Sequence, residues 1–272
     1  MAKNPLGESS PIPGRYNPDL LFPISRALAR SKLNNFTETR CFGYDLWRAY
    51  EISWLDNDRR PEVRIAEFIF KLTSKSIIES KSLKLYLHSL NGEIFDSEEE
   101  YKNTLTRDLS AVAEEEVKVD LMPLTSRYCL TSNIIKGRSI DKAENFELHG
   151  EPDGEILQIS DQPVQSEELY SELFRSLCPI TGQPDWATFR INYSGPKISE
   201  HSLLTYACSF RDHPSYHEDC GERIFNDISE NCKPTDLTIS LNFLRRGGID
   251  ISVYRSTSTL EEKSFLSRLV RQ

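Results

Sequence analysis

The amino-acid sequence predicts an α+β protein made of two tandem modules, each an antiparallel sheet with helices on one face. Three observations lead to this expectation. A strand-like run, WRAYEISW (47–54), aligns with WATFRINY (186–193), setting Trp47 over Trp186, Tyr50 over Phe189, Ile52 over Ile191 and Trp54 over Tyr193. The same offset of 139 residues carries IAEFIFKLTSKS onto LTYACSFRDHPS (204–215) and then sets Glu79 over Glu218. Each of those glutamates opens a helix-like stretch, ESKSLKLYLHSL or EDCGERIFNDI. Finally, VKVDL (117–121) matches LTISL (237–241) at an offset of only 120, so the first copy is expected to hold about 19 extra residues, assigned to the acidic helix SEEEYKNTLTRDLSAVAEE.

Taken in order, the start of the chain, MAKNPLGESSPIPGRYNPDLLFPISR, is polar and proline-rich without an apolar stretch, so no secretory signal is expected. Each copy then reads as strand, strand, helix, strand, strand. Residues 1–136 form the N-terminal module. Residues 137–165 form a charged, glycine-containing connector with room for a short strand of its own, and 166–272 form the C-terminal module. In that second module EELYSELFRSL reads as a short amphipathic helix, Pro179, Gly182 and Pro184 break regular structure after Cys178, and Asp185 opens the strand WATFRINY.

Composition narrows the function. At 272 residues, 38% apolar and 28% charged, the chain suits one large or two ordinary soluble domains, and no run approaches the roughly 18–20 apolar residues of a spanning helix. A net charge of −9 argues against direct nucleic-acid binding, which draws on a basic surface. Neither GxGxxG nor GxxxxGK[ST] is present, so a nucleotide would need another device to hold it. Six cysteines without a CxxC pair are read as reduced thiols of a cytoplasmic protein. Cys41, Cys129, Cys208, Cys220 and Cys232 are expected to be core or incidental residues.

Cys178 and Asp185 stand apart because a thiol and a carboxyl at the two ends of one tight loop can converge on a small molecule. The plainer alternative is a structural cysteine and a turn-capping aspartate. In the 139-residue register the first copy carries Thr39, Leu46 and Ile78 opposite Cys178, Asp185 and His217, so only the second copy is armed. The first copy offers a basic helix start instead, Ser80-Lys81-Ser82-Leu83-Lys84, where free N–H groups favour an anion.

The octapeptide Glu79-Ser80-Lys81-Ser82-Leu83-Lys84-Leu85-Tyr86 resembles the signature helix of the NADPH-dependent nitrile reductases that convert 7-cyano-7-deazaguanine (preQ0) into 7-aminomethyl-7-deazaguanine (preQ1) in queuosine biosynthesis, the QueF family. CPITGQPDW with Cys178 and Asp185, SYHEDCGERIFND with His217 and Glu218, LRRGGIDI (244–251) and LLFPISR near the start resemble its long, two-module branch. The likeness spans nearly the whole chain and is weakest over 137–165. It implies tunnelling-fold (T-fold) modules that pair their sheets into barrels, a site between modules, a homodimer, and neither metal nor flavin.

The resemblance also implies roles. Cys178 would add to the nitrile carbon and form a thioimide, which splits one difficult reduction into easier steps. A free thiol has a pKa of roughly 8.5 and needs help to ionise. Asp185 would carry the proton and His217 would assist. Ile78, Glu79, Ser80, His217 and Glu218 would contact the substrate. A glutamate suits its paired N1–H and 2-amino donors, each charge-assisted bond contributing roughly 1.5–3 kcal/mol. NADPH, two per turnover, would lie on Ser80, Lys81, Arg246 and Gly247, where a guanidinium fork and a close-approaching backbone meet. Three other readings stay open: a cyclohydrolase-like zinc enzyme using His217, Cys220 and Cys178, a cysteine hydrolase using Cys178 and His217, and a non-catalytic purine-binding module.

Overall fold

The computed structural model describes residues 14–37, 39–126, 135–262 and 268–272. The chain is α+β, as expected. Its main sheet begins with β2 (Phe42–Leu55) and β3 (Pro61–Lys71), preceded by the short β1 (Pro23–Ser25) and α1 (Arg26–Arg30). β4 (Ser76–Ile78), α2 (Ser80–Ser89), α3 (Glu98–Ala113) and β5 (Lys118–Met122) complete the first half. The second half runs β6 (Arg138–Ser139), β7 (Ile159–Ser171), β8 (Arg175–Leu177), β9 (Pro184–Ile198), α4 (Glu200–Ser209), α5 (His217–Cys232), β10 (Asp236–Phe243) and β11 (Ile249–Ser256).

The strands lie in the order β5-β3-β2-β11-β10-β9-β7-β6, antiparallel except for the β6–β7 edge, and the sheet is open. The two halves meet where β11 pairs with β2, from Ile249 opposite Ala49 to Ser256 opposite Phe42. Alternation then sorts the faces. Trp47 and Ala49, Phe68 and Phe70, Phe189 and Ile191, and Ile249, Ile251 and Val253 share one buried core with Leu83 and Tyr86 of α2 and Ile224 and Ile228 of α5. The intervening residues form a second, polar face. There Arg48 lies between Glu67 (2.7 Å) and Asp250 (3.8 Å), and the Gln272 side chain donates to Asp250 at 3.2 Å and to Ser252 at 2.9 Å.

The chain is internally repeated, but not in the register expected. The run 204–215, aligned above with a strand of the first half, lies largely on helix α4 and the short turn after it. The counterparts are α2 with α4 and α3 with α5, at offsets of 119–120, and they carry the same hydrogen bonds. Ser82 Oγ donates to the Glu79 carbonyl (2.6 Å) as Ser202 does to Ser199 (2.9 Å), and Ser89 donates to Tyr86 as Ser209 does to Tyr206 (2.6 Å each). The Tyr86 hydroxyl donates to Asp108 as that of Tyr206 does to Asp227 (2.7 Å each).

Several expectations change with the register. The acidic helix α3 is no insertion, since α5 answers it. Each half carries two helices where one was expected; the second half closes on two strands, β10 and β11, as expected, and the first shows β5 after its helices among the described residues. Glu79 corresponds to Ser199 rather than Glu218, and the pairing of Thr39, Leu46 and Ile78 with the armed residues lapses. The cause is that alternating aromatics mark any core-facing strand. Trp47 opposes Phe68 in β2–β3 as Leu169 opposes Ile191 in β7–β9, so β2 answers β7 and not β9.

EELYSELFRSL is not a helix either. Its first part ends β7, which begins at Ile159 within the expected connector, and its last three residues form β8. Leu169 and Ser171 face Ile191 and Phe189 across the ladder, and Phe174 is fully buried at the bend. Cross-strand pairing outweighs a modest helical pattern here. The connector does contain its short strand, β6.

Candidate active site

Cys178 follows β8 directly and Asp185 is the second residue of β9, so both stand at the turn of a β-hairpin in which Ser176 opposes Asp185. The turn is closed by bonds from Cys178 N to Gln183 O (2.9 Å) and from Gly182 N to Cys178 O (3.0 Å), with Gly182 at φ +65°. The free side of β8 binds the segment that leads into α5: Leu177 N donates to His213 O and Ser215 N to Leu177 O (3.0 Å each). That stitching brings His217 and Glu218, the first residues of α5, over the hairpin turn. His217 Nε2 lies 3.3 Å from Asp185 Oδ2, and its ring stacks on Phe243 at 3.9 Å between centroids. Arg246, in the turn between β10 and β11, places Nη1 3.2 Å from Asp185 Oδ1 and 3.1 Å from Gln183 Oε1.

The first half supplies the other wall. Ile78 ends β4, Glu79 caps α2 and Ser80 begins it, while Trp47 reaches across from β2. All of these line one cavity of about 30 Å³ with Cys178, Pro179, Asp185, Tyr216, His217, Glu218 and Arg246. Eight of the ten candidate residues therefore converge. Gly247 lines a neighbouring cavity of about 180 Å³ with Lys84 and His88, and Lys81 lines neither. Asp185 Oδ1 and His217 Nε2 are buried without an aligned hydrogen-bond partner among the described residues.

Electrostatics separates the groups. Burial pushes the Cys178 thiol up, yet the Thr181 hydroxyl, the N–H groups of Thr181 and Ile180 and the Arg246 guanidinium outweigh it, so its pKa falls below the ordinary thiol value. The other described cysteines behave oppositely: burial raises Cys208 to about 11, and Cys41, Cys220 and Cys232 to about 12. They are core thiols, and Cys129 lies outside the described residues. Burial, then Asp45, raises Glu218 to about 7. Burial, then Arg246, lowers Lys84.

Glu79 is more committed than expected. Its two oxygens accept the N–H groups of Lys81 and Ser82, each at 2.8 Å, so it caps the helix while facing the cavity. Trp47, Tyr216 and Lys84 were not identified as site residues from sequence. Lys84 sits inside the ESKSLKLY motif, and Trp47 served only as a repeat landmark; nothing local marked Tyr216. For the zinc reading, no group of three or more His, Cys, Asp or Glu is placed to hold a metal among the described residues.

An anion-stabilised thiol beside a carboxyl and an imidazole can add to an electrophilic carbon and protonate the neighbouring atom. Fold and site thus define the class, an α+β protein that gathers a thiol, a carboxyl and an imidazole on one cavity. Within that class, the chain belongs to the 7-cyano-7-deazaguanine reductase family. A family profile described as "Nitrile reductase, 7-cyano-7-deazaguanine-reductase N-term" matches residues 12–121, and one described as "QueF-like protein" matches 184–262. A protein of Coxiella burnetii is 44% identical over 258 residues, 94% of this chain and 92% of its own. One from Desulfotalea psychrophila is 43% identical over 270 residues, 98% and 97% of the two chains. A third, from Burkholderia orbicola, is 42% identical over 257 residues, 93% of each. All three are named NADPH-dependent 7-cyano-7-deazaguanine reductase.

Proposed function

We propose that this protein reduces the nitrile of 7-cyano-7-deazaguanine to an aminomethyl group through a thioimide on Cys178, within queuosine biosynthesis. The observation that carries the proposal is the meeting of Cys178, Asp185 and His217 with Glu79 and Glu218 on one cavity. Cys178 passes its thiol proton to Asp185, its sulfur adds to the nitrile carbon as C≡N becomes C=N, and Asp185 returns that proton to the nitrogen. His217 holds the Asp185 carboxyl in place and Glu218, with Glu79, accepts the substrate's donor edge. A cavity of about 30 Å³ holds only a water or two, so the bicyclic substrate enters as Arg246 or the hairpin turn yields.

The residues present fit an anionic cofactor. A Cβ on Gly247 would stand 3.1–3.2 Å from the end of the Lys84 side chain, and Arg246 and Lys84 crowd as like charges beside this cradle. Ser80, Lys81, Arg246 and Gly247, joined by Lys84, are the groups we assign to NADPH, whose bound form supplies the hydrides. The open sheet, with β5 and β7–β6 at its edges, suits T-fold modules that join sheets with a second copy into barrels of a homodimer. The halves assigned to 1–136 and 166–272 serve as the modules, the second led by β7. Among the described residues no helix is long and apolar enough to cross a membrane; we place the enzyme in the cytoplasm, acting on a free small molecule rather than on nucleic acid.

The test is NADPH absorbance with 7-cyano-7-deazaguanine, alongside intact-mass analysis. Two NADPH consumed per substrate and an adduct on the wild type but not on Cys178→Ala are expected. Ammonia or acid release without NADPH would favour the hydrolase, and binding without turnover the purine-binding module.

A further inference from the structure

We propose that Trp47 is a positioning residue for substrate recognition, its indole N–H setting the carboxylate of Glu218 toward the cavity. This rests on the reading that Glu218 holds the substrate's donor edge. Trp47 Nε1 donates to Glu218 Oε1 at 3.2 Å, joining β2 of the first half to α5 of the second. Both side chains are 2% exposed and both line the cavity. Trp47 is itself held, paired to Phe68 and Ile251 on either side and in edge contact with Phe70 at 5.7 Å. It is the one side-chain donor to Glu218 among the described residues.

Rotation of a glutamate's carboxylate about its last torsion is broad and weakly restrained. A fixed donor on one oxygen removes that freedom and leaves the second oxygen, with the spare lone pair of the first, for the paired donors of a guanine-like edge. Indole N–H is a donor only, so it favours the ionised carboxylate over the carboxylic acid, whose O–H would meet the substrate's own donors. Ionisation matters here because burial holds Glu218 near pH 7. The charged and titratable groups around it are Asp45 of β2, Arg26 of α1, Tyr216 before α5, His217, Asp219 and Cys220 of α5, Glu79 before α2, Cys178 and Asp185 of the hairpin turn, Arg246, and Arg255 of β11. A neutral donor stabilises the anion without adding to this set of charges.

Trp47→Phe keeps the aromatic packing and removes the N–H. At pH 7 the KM for 7-cyano-7-deazaguanine should rise about tenfold while that for NADPH changes less than about twofold. The midpoint of the substrate-affinity pH profile should move up by about half a unit or more, because the ionised form has lost its donor. In a Glu218→Gln background the same change should alter substrate affinity less than about twofold. A benzothienylalanine isostere at position 47, which keeps the bicyclic shape without the N–H, should reproduce the shift if the phenylalanine variant folds poorly. An unmoved midpoint, a parallel rise of both KM values, or an undiminished effect in the Glu218→Gln background overturns the proposal. Should Glu218→Gln leave substrate affinity intact, the reading of Glu218 falls as well; a loss there with an unmoved Trp47→Phe midpoint overturns only the role of Trp47.

Discussion

At the scale of single residues, the hairpin turn assigns work to groups that differ little in chemistry. Asp185 lies between a cation and an imidazole, Arg246 at 3.2 Å and His217 at 3.3 Å, so its asparagine variant keeps the shape and loses the proton. Asp185→Asn should lower kcat by about 10²–10⁴, read at neutral pH; a loss below tenfold would remove the residue from proton transfer. The two glutamates now part company. Glu218→Gln should weaken substrate binding by more than about tenfold with NADPH binding nearly intact. Glu79→Gln should also cost stability, about 1 kcal/mol by thermal unfolding, because its carboxylate caps two N–H groups of α2. If Glu79→Gln lowers stability alone, Glu79 is a cap and Glu218 holds the substrate by itself.

Between elements, the ties across the two halves are ionic and buried. Arg26 and Arg30 of α1, Asp45 of β2 and Arg255 of β11 gather around Glu222 of α5, with contacts from 2.6 to 3.4 Å. Removing the central carboxylate strands buried guanidinium charge, so Glu222→Gln should destabilise by about 3–5 kcal/mol in denaturant unfolding. Glu222 itself has a lowered pKa, since Arg30, Arg255 and Arg26 outweigh its burial. Glu218 and neighbouring Asp219 behave in the opposite sense, both raised to about 7 by burial first. The native state therefore holds protons that the unfolded chain has released, and stability falls as pH rises from about 4.5 to about 7. The Tm of the unliganded protein should drop over that window, and Glu218→Gln should flatten part of the drop. Below it the sign reverses, as Glu222 and Asp45, held ionised by arginine, take up protons.

These elements show what the sequence makes legible. Cys178, Asp185, His217, Glu218 and Arg246 sit in short motifs whose chemistry is local, and all five reach the cavity. The repeat was visible, but its register was not, because Ile52 and Trp54 satisfy the same core-facing period on β2 as Ile191 and Tyr193 do on β9, whereas Trp47 is in the core and Trp186 is on the other face of its strand. EELYSELFRSL carries a helical pattern that cross-strand pairing with β9 overrides. The Trp47–Glu218 bond joins residues 171 positions apart, and no pattern in one chain announces such a contact.

For the whole molecule, the cofactor assignment spans both halves, α2 from the first and the β10–β11 turn from the second. Arg246→Ala should raise the KM for NADPH far more than that for the uncharged substrate, and rising salt should raise the NADPH value alone. Since Arg246 also touches Asp185 and stabilises the Cys178 thiolate, the same variant should move the pH profile of adduct formation upward. Equal losses for both ligands with an unchanged profile would make the arginine structural.

The pairing of β11 with β2 has a consequence for how the protein comes into being. β2 leaves the ribosome with one edge unmatched, and the strand that covers it is made some 200 residues later. Until then a nascent chain presents Phe42–Leu55, rich in aromatic residues, as an open template for other chains. Closing that seam across such a sequence separation is entropically slow. The candidate cavity, lined from both sides of the seam, cannot be complete until that pairing is made.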